Sequence, residues 1–299
     1  MSFRSGSYIL VMLMLTSLLP AADTTSVYKT RKLVLGASAL AVTGGSLIYL
    51  NQAWYQQYNS SSFHFFNDND EWFQMDKYGH VLTTYQTGRL VMGSMKWAGY
   101  PRRSQLIVGG MSGLLYMSAI EVMDGYSNGW GFSWGDMGAN ALGSGLAIGQ
   151  EALWKEQRIQ LKFSFYQSPY AQYRTDLLGK TVTTQVLKDY NGQTYWLSVN
   201  PSSFFKTENR FPKWISIAVG YGADGMLGAR DNNVLVVDEY GNTKTFDRYR
   251  QYYLSLDVDF TRIPVKSKFL KAVFSAVNIM KIPFPNMELS EGKLKFNAY

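Results

Sequence analysis

Asp76, Lys77 and His80 stand together in the stretch MDKYGH (75–80), and His80 is one of only two histidines in the chain of 299 residues. On a helix, Asp76, His80, Thr83 or Thr84, and Thr87 recur at spacings of three and four and share one face. Glu121 and Asp124 lie three apart where another apolar segment ends. The C-terminus of a helix carries partial negative charge, so two acids there need a partner from elsewhere in the fold. In FSWGD, Ser133 and Asp136 have the spacing of an acidic capping box. Asp136, Asn140, Gly143, Ala147 and Gln150 then continue along one helix face, which puts polar side chains where a core is expected. A histidine among carboxylates can serve as a general base or bind a divalent ion, which makes His80, Glu121, Asp124 and Asp136 the candidate catalytic residues. A single histidine does not make the usual zinc site, and neither a metal nor any other cofactor is assigned. No Ser-His-Asp order and no H-E-x-x-H motif occurs. GYGADGMLGA (220–229) follows an alternating segment with no helix after it and reads as a turn rather than a phosphate loop.

Four apolar helices have to position these residues. Residues 33–50 form an uncharged run long enough to cross or enter a bilayer, with Gly36, Gly44 and Gly45 available for close helix approach. A buried helix of a soluble bundle is the other reading of that run. A polar linker from Asn59 to Trp72 carries His64, which reads as a loop residue. Helical segments over roughly 75–98, 103–124 and 134–154 follow, separated by GYPRRS and GYSNGWGFS. Packed antiparallel in sequence order, the start of the second, the end of the third and the start of the fourth share one end of a bundle, so that Asp76, Lys77, His80, Glu121, Asp124, Asp136 and Asn140 converge.

Beyond about residue 156 the period changes to two. RIQLKFSFY, WISIAVGY and LSLDVDF each alternate apolar with polar or small residues. The expected fold is therefore α+β: a bundle of about four helices within 31–155, then an antiparallel β-rich half over 156–299 with one amphipathic helix near 265–281. A half-buried soluble sheet and a membrane-embedded sheet both fit the alternation; the aromatic flanks RYRQYYL and NGQTYWL favour the membrane. Six or seven strands are too few for a closed single-chain barrel of the usual size.

The amino-terminal residues 1–22 read as a signal peptide, with Arg4, a short apolar core from Tyr8 to Leu19 and small residues before a cut near Ala21 or Ala22. There is no cysteine, hence no disulfide framework and no thiolate metal site. The formal charge of +7 is scattered rather than clustered. Membrane lipid is thus the expected partner and nucleic acid is not, with an envelope protein or a second copy left open. The expected location is the outer membrane or its periplasmic face, the alternative being an inner-membrane anchor through residues 33–50.

DKYGH, SAIEVMD and FSWGDMGANALGSG resemble, in order and spacing, the YfiM-like bacterial envelope domain of unknown function, often taken as a periplasmic lipoprotein. They are more distantly similar to VanZ-like membrane proteins. The resemblance covers about residues 72–154 and implicates Asp76, Lys77, His80, Glu121, Asp124, Ser133, Trp134, Asp136, Asn140 and Gly143 as a binding or structural polar cluster. It brings no reaction with it. A non-enzymatic envelope protein stapled by this cluster is the leading expectation, and an envelope hydrolase or transferase acting on a lipid or cell-wall group is the alternative.

Overall fold

The computed structural model describes residues 24–55, 58, 60–205, 212–233, 235–237 and 243–298, and the expected signal peptide lies outside them. It is α+β, with two compact units. One takes the chain up to Phe66 together with Thr83–Gln157 and Phe260–Ile279; the other takes Asn67–Leu82, Arg158–Asp259 and the segment from Met280 onward.

The first unit is helical. It contains α1 (Thr24–Leu50), most of α2 (Met75–Trp97), α3 (Arg102–Gly125, with a π-helical turn at Gln105–Gly109), α4 (Trp134–Trp154) and α5 (Lys268–Val277). Glycines let α2 and α3 touch backbone to backbone. A Cβ on Gly88 would lie 2.8 Å from the Gly110 carbonyl oxygen, and one on Gly113 would collide with the Thr84 backbone. Among the described residues, the glycines expected to admit a neighbour to α1 have none: a Cβ at Gly36, Gly44 or Gly45 would meet nothing within 4 Å. α4 starts on Ser133 and stops at Lys155, whose left-handed conformation (φ 60°) ends the helix on a bond from its N–H to the Glu151 carbonyl. The segment 60–66 runs beside 125–132, through Ser61 N–H to Tyr126 O (2.8 Å) and Phe132 N–H to His64 O (3.0 Å). His64 is a loop residue whose Nε2–H donates to the Trp130 carbonyl at 2.7 Å.

The second unit is built on a six-stranded antiparallel sheet in the order β1 (Ile159–Phe165), β2 (Gln193–Val199), β3 (Ile215–Asp224), β6 (Tyr249–Val258), β7 (Asn286–Ser290) and β8 (Lys293–Asn297). A separate ribbon pairs β4 (Val236–Val237) with β5 (Thr243–Lys244). Glu291 and Gly292 both have positive φ, as the tight turn joining β7 to β8 requires. The two faces are the reverse of a soluble half-buried sheet. Ile217, Val219, Leu254, Leu256, Leu289 and Phe296 are exposed, whereas Gln160, Lys162, Ser198, Ser216, Ser255 and Asp257 are buried. Strands β1 and β6 stand three apart in the order, about 14 Å in a flat sheet, yet Lys162 Nζ reaches Asp257 Oδ2 at 2.7 Å. The sheet therefore curls around its polar face. Among the described residues no pairing joins β8 back to β1. An apolar core at one end gathers Trp72, Met75, Leu178, Tyr221, Met226 and Leu227.

Candidate functional site

In the sheet-containing unit, Asp76, Lys77 and His80 sit on the opening turns of α2. Three successive non-glycine residues in left-handed conformation, Trp72, Phe73 and Gln74 (φ 48°, 50° and 63°), bring the chain into that helix. Each costs on the order of 1 kcal/mol or more and persists only where its surroundings hold it. Here they do: Trp72 N–H donates to the Ala229 carbonyl, the Phe73 carbonyl accepts from Tyr221 Oη (2.6 Å) and Arg250 (3.1 Å), and the Phe73 ring lies beneath Arg248 and Arg250. The start of the helix is thus pinned before its polar residues begin.

Asp76 is the hub. Its Oδ1 accepts the Tyr190 hydroxyl at 2.7 Å and lies 3.7 Å from His80 Nε2, while its Oδ2 lies 3.6 Å from Lys77 Nζ. Lys77 makes its shorter ion pair with Asp68, at 2.6 Å. At 3.7 Å the imidazole and Asp76 are too far apart for a hydrogen bond between them. An acid shared by a lysine, a histidine and a phenol suits an ion network better than a catalytic dyad, in which the carboxylate is committed to orienting the imidazole. Gly79 within DKYGH has a steric reason, since a Cβ there would stand 3.0 Å from Tyr195 Oη. Tyr78 stacks on Tyr221 with ring centroids 4.6 Å apart. Glu71, just before the turn, is raised above the usual carboxylate range by burial, against the pull of Arg230.

In the helical unit, the two acids at the end of α3 have the partners their position demanded. Glu121, buried, accepts the Ser133 N–H at 3.1 Å through Oε2, and Asp124 Oδ1 accepts the Tyr55 hydroxyl at 2.7 Å. Ser133 Oγ in turn accepts the Asp136 N–H at 3.2 Å. The capping box is thus shared: the serine caps α4 as expected, and Glu121 from α3 satisfies the Ser133 backbone donor. Asp136, Asn140, Gly143, Ser144 and Gln150 continue as one buried stripe of α4. Trp134 stands apart from them. It is 70% exposed and stacked on Phe65, with Phe132 edge-on to it.

Sequence reasoning missed Asp68, Tyr190 and Tyr55, each a lone polar residue in or beside a loop with no periodic signal. It also missed the buried group inside the curled sheet, where Asp257 accepts from Ser198 Oγ (2.6 Å) and pairs with Lys162. The signal for that group was present: Lys162 and Asp257 occupy polar positions of period-two segments.

No curated protein and no solved structure matches the chain. Residues 64–151, which hold every member of the expected cluster, are similar to a family described as "Predicted periplasmic lipoprotein (DUF2279)", and this supports an exported, envelope-associated protein.

Proposed function

We propose that the chain is a non-enzymatic structural protein of the bacterial outer membrane, seated there by the apolar face of its β-sheet. The observation that carries this reading is the inverted polarity of the sheet. Its exposed face is aliphatic and aromatic, while lysine, aspartate, glutamine and serine fill the buried face. In water that arrangement leaves apolar area unburied at about 25 cal/mol per Å² and desolvates polar groups as well. Against lipid it is the favourable one. β3 and β6, at 10 residues each, have the length a spanning strand needs, whereas β1 and β2, at 7, and β7 and β8, at 5, do not. The sheet is therefore seated in the membrane as a curled layer.

In this reading the polar residues of DKYGH tie the start of α2 to Asp68 and Tyr190, and the buried polar residues at the end of α3 and along α4 fix the register of those helices, as buried polar groups can. Two measurements test it. Density-gradient separation of membranes should place the chain in the outer-membrane fraction, resistant to carbonate; recovery as soluble periplasmic protein refutes the seating. His80→Ala and Asp136→Asn should each lower the steady-state level of the protein. Normal levels combined with failure to rescue a deletion strain would favour the hydrolase or transferase alternative instead.

A further inference from the structure

The helical unit carries a second, independent inversion of polarity. On α4, every polar side chain from Ser133 to Gln150 (Ser133, Asp136, Asn140, Ser144 and Gln150) is buried. The exposed positions over the same length are Trp134, Gly138, Ala141, Leu142 and Gly145, with Leu142 63% exposed. On α3 the pattern repeats: Ile107, Val108, Leu115 and Val122 are exposed, while Glu121 is buried. A helix of a water-soluble bundle shows the opposite arrangement.

We propose that this unit is immersed in a lipid bilayer, with α3 and α4 crossing it and their apolar faces against acyl chains. Three further observations favour lipid over a protein partner as the occupant of that surface. The first is length. α4 begins at Trp134 and ends at Trp154; twenty steps at 1.5 Å separate those rings by about 30 Å, the thickness of the hydrocarbon core. Tryptophan collects at the two boundaries of that core.

The second is the character of the two ends. Around Trp134 lie Phe63, Phe65, Tyr126 and Phe132, ring against ring with centroids 5.2–6.1 Å apart. At the opposite end of the helices, Arg31 lies over Trp97 and donates to its carbonyl, Lys32 lies over Tyr100, and Arg102 donates to the Glu151 and Ala152 carbonyls. Aromatics at one boundary, and aromatics with cations at the other, are the anchors of a spanning bundle and suit anionic headgroups. The third is the packing between helices, where Gly88, Gly110 and Gly113 bring α2 and α3 into backbone contact. Close approach at small residues is how helices associate when lipid removes the hydrophobic drive between them. A second copy of the chain would cover one side of the unit, whereas the apolar surface extends over α1, α3 and α4.

The 299 residues contain no cysteine, so single cysteines report cleanly. Full-length Leu142→Cys and Leu115→Cys, reconstituted in phosphatidylcholine–phosphatidylglycerol vesicles, are compared with Asn128→Cys and Lys155→Cys, exposed positions beyond either end of α4. N-ethylmaleimide crosses the membrane but reacts with the thiolate in water, so the two mid-helix thiols should label at least about tenfold more slowly than the controls. That protection should persist when the vesicles hold single chains. Labelling of Leu142→Cys and Leu115→Cys at the rate of Asn128→Cys overturns the proposal. Protection that disappears on dilution overturns it too, because a second copy would then be the cover. Neither result depends on which membrane the sheet occupies.

Discussion

Replacing Lys162 by methionine tests whether the polar face of the curled sheet is a closed, dry interior. Lys162 and Asp257 have no exposed side-chain surface and stand 2.7 Å apart. At an effective dielectric constant of about 20 their gross attraction is roughly 6 kcal/mol, which desolvation of two ions, at several kcal/mol each, offsets almost completely. The pair is therefore near neutral for stability as long as both members are present. Removing the lysine leaves Asp257 with the Ser198 hydroxyl at 2.6 Å as its hydrogen-bond partner and no bond to Oδ1. Lys281, on which the charge of Asp257 also acts, remains in the same interior, so the expected loss is about 3 kcal/mol, the low end of the usual cost of breaking a buried pair. The double replacement Lys162→Met/Asp257→Leu removes both charges and should return to within about 1 kcal/mol of the parent or exceed it. Guanidinium unfolding in detergent micelles, followed by tryptophan fluorescence, measures all three; Trp196 stacks beside Lys281 in the same interior. If Lys162→Met unfolds at the parent midpoint, water reaches Asp257, and the inverted sheet cannot be read as a lipid-facing layer around a dry polar interior.

Lys281 lies outside the strands and is held at about 8, below its ordinary 10.5, chiefly by burial. Between those values the unfolded chain binds the extra proton, so thermal stability should rise from about pH 8 to about 10.5, and Lys281→Met should flatten that rise. Glu121→Gln keeps an acceptor for the buried Ser133 N–H and should be mild, whereas Glu121→Leu leaves that donor unsatisfied and should cost about 1–3 kcal/mol in the same unfolding assay. Gly113→Ala collides with the Thr84 backbone and should cost about 1–3 kcal/mol or more; Gly145→Ala meets nothing within 4 Å on the exposed face of α4 and should be neutral or stabilising by up to about 1 kcal/mol.

What could be read from the sequence and what could not divide along a physical line. Period is local, so the helix over 134–154 and the strands at RIQLKFSFY, WISIAVGY and LSLDVDF follow from spacing alone, and the structure has each of them. The misfit of two acids at the end of α3 is local as well, and it correctly demanded partners for Glu121 and Asp124. Which partners answer is a tertiary fact. Tyr55 and the Ser133 N–H carry no pattern of their own, and Asp68 and Tyr190 meet Lys77 and Asp76 across the turn at Trp72–Gln74 and from a distant loop, neither of which has a periodic signal.

The deeper limit is that an alternating or amphipathic pattern defines two faces without saying which one is inside. Lys162 and Asp257 read as outward positions as long as water is assumed to be outside, and the same assumption makes the stripe from Asp136 to Gln150 look anomalous. Both sets are buried. Their partners come from β1 and β6, remote in sequence and three apart in the sheet, and from the ends of α3 and α4, which meet where the Ser133 N–H donates to Glu121. Inversion in a sheet and inversion in a helical unit have different local origins, period two in one and 3.6 in the other. Finding both in one chain suits the proposed lipid surroundings, which would make each of them favourable for the same reason.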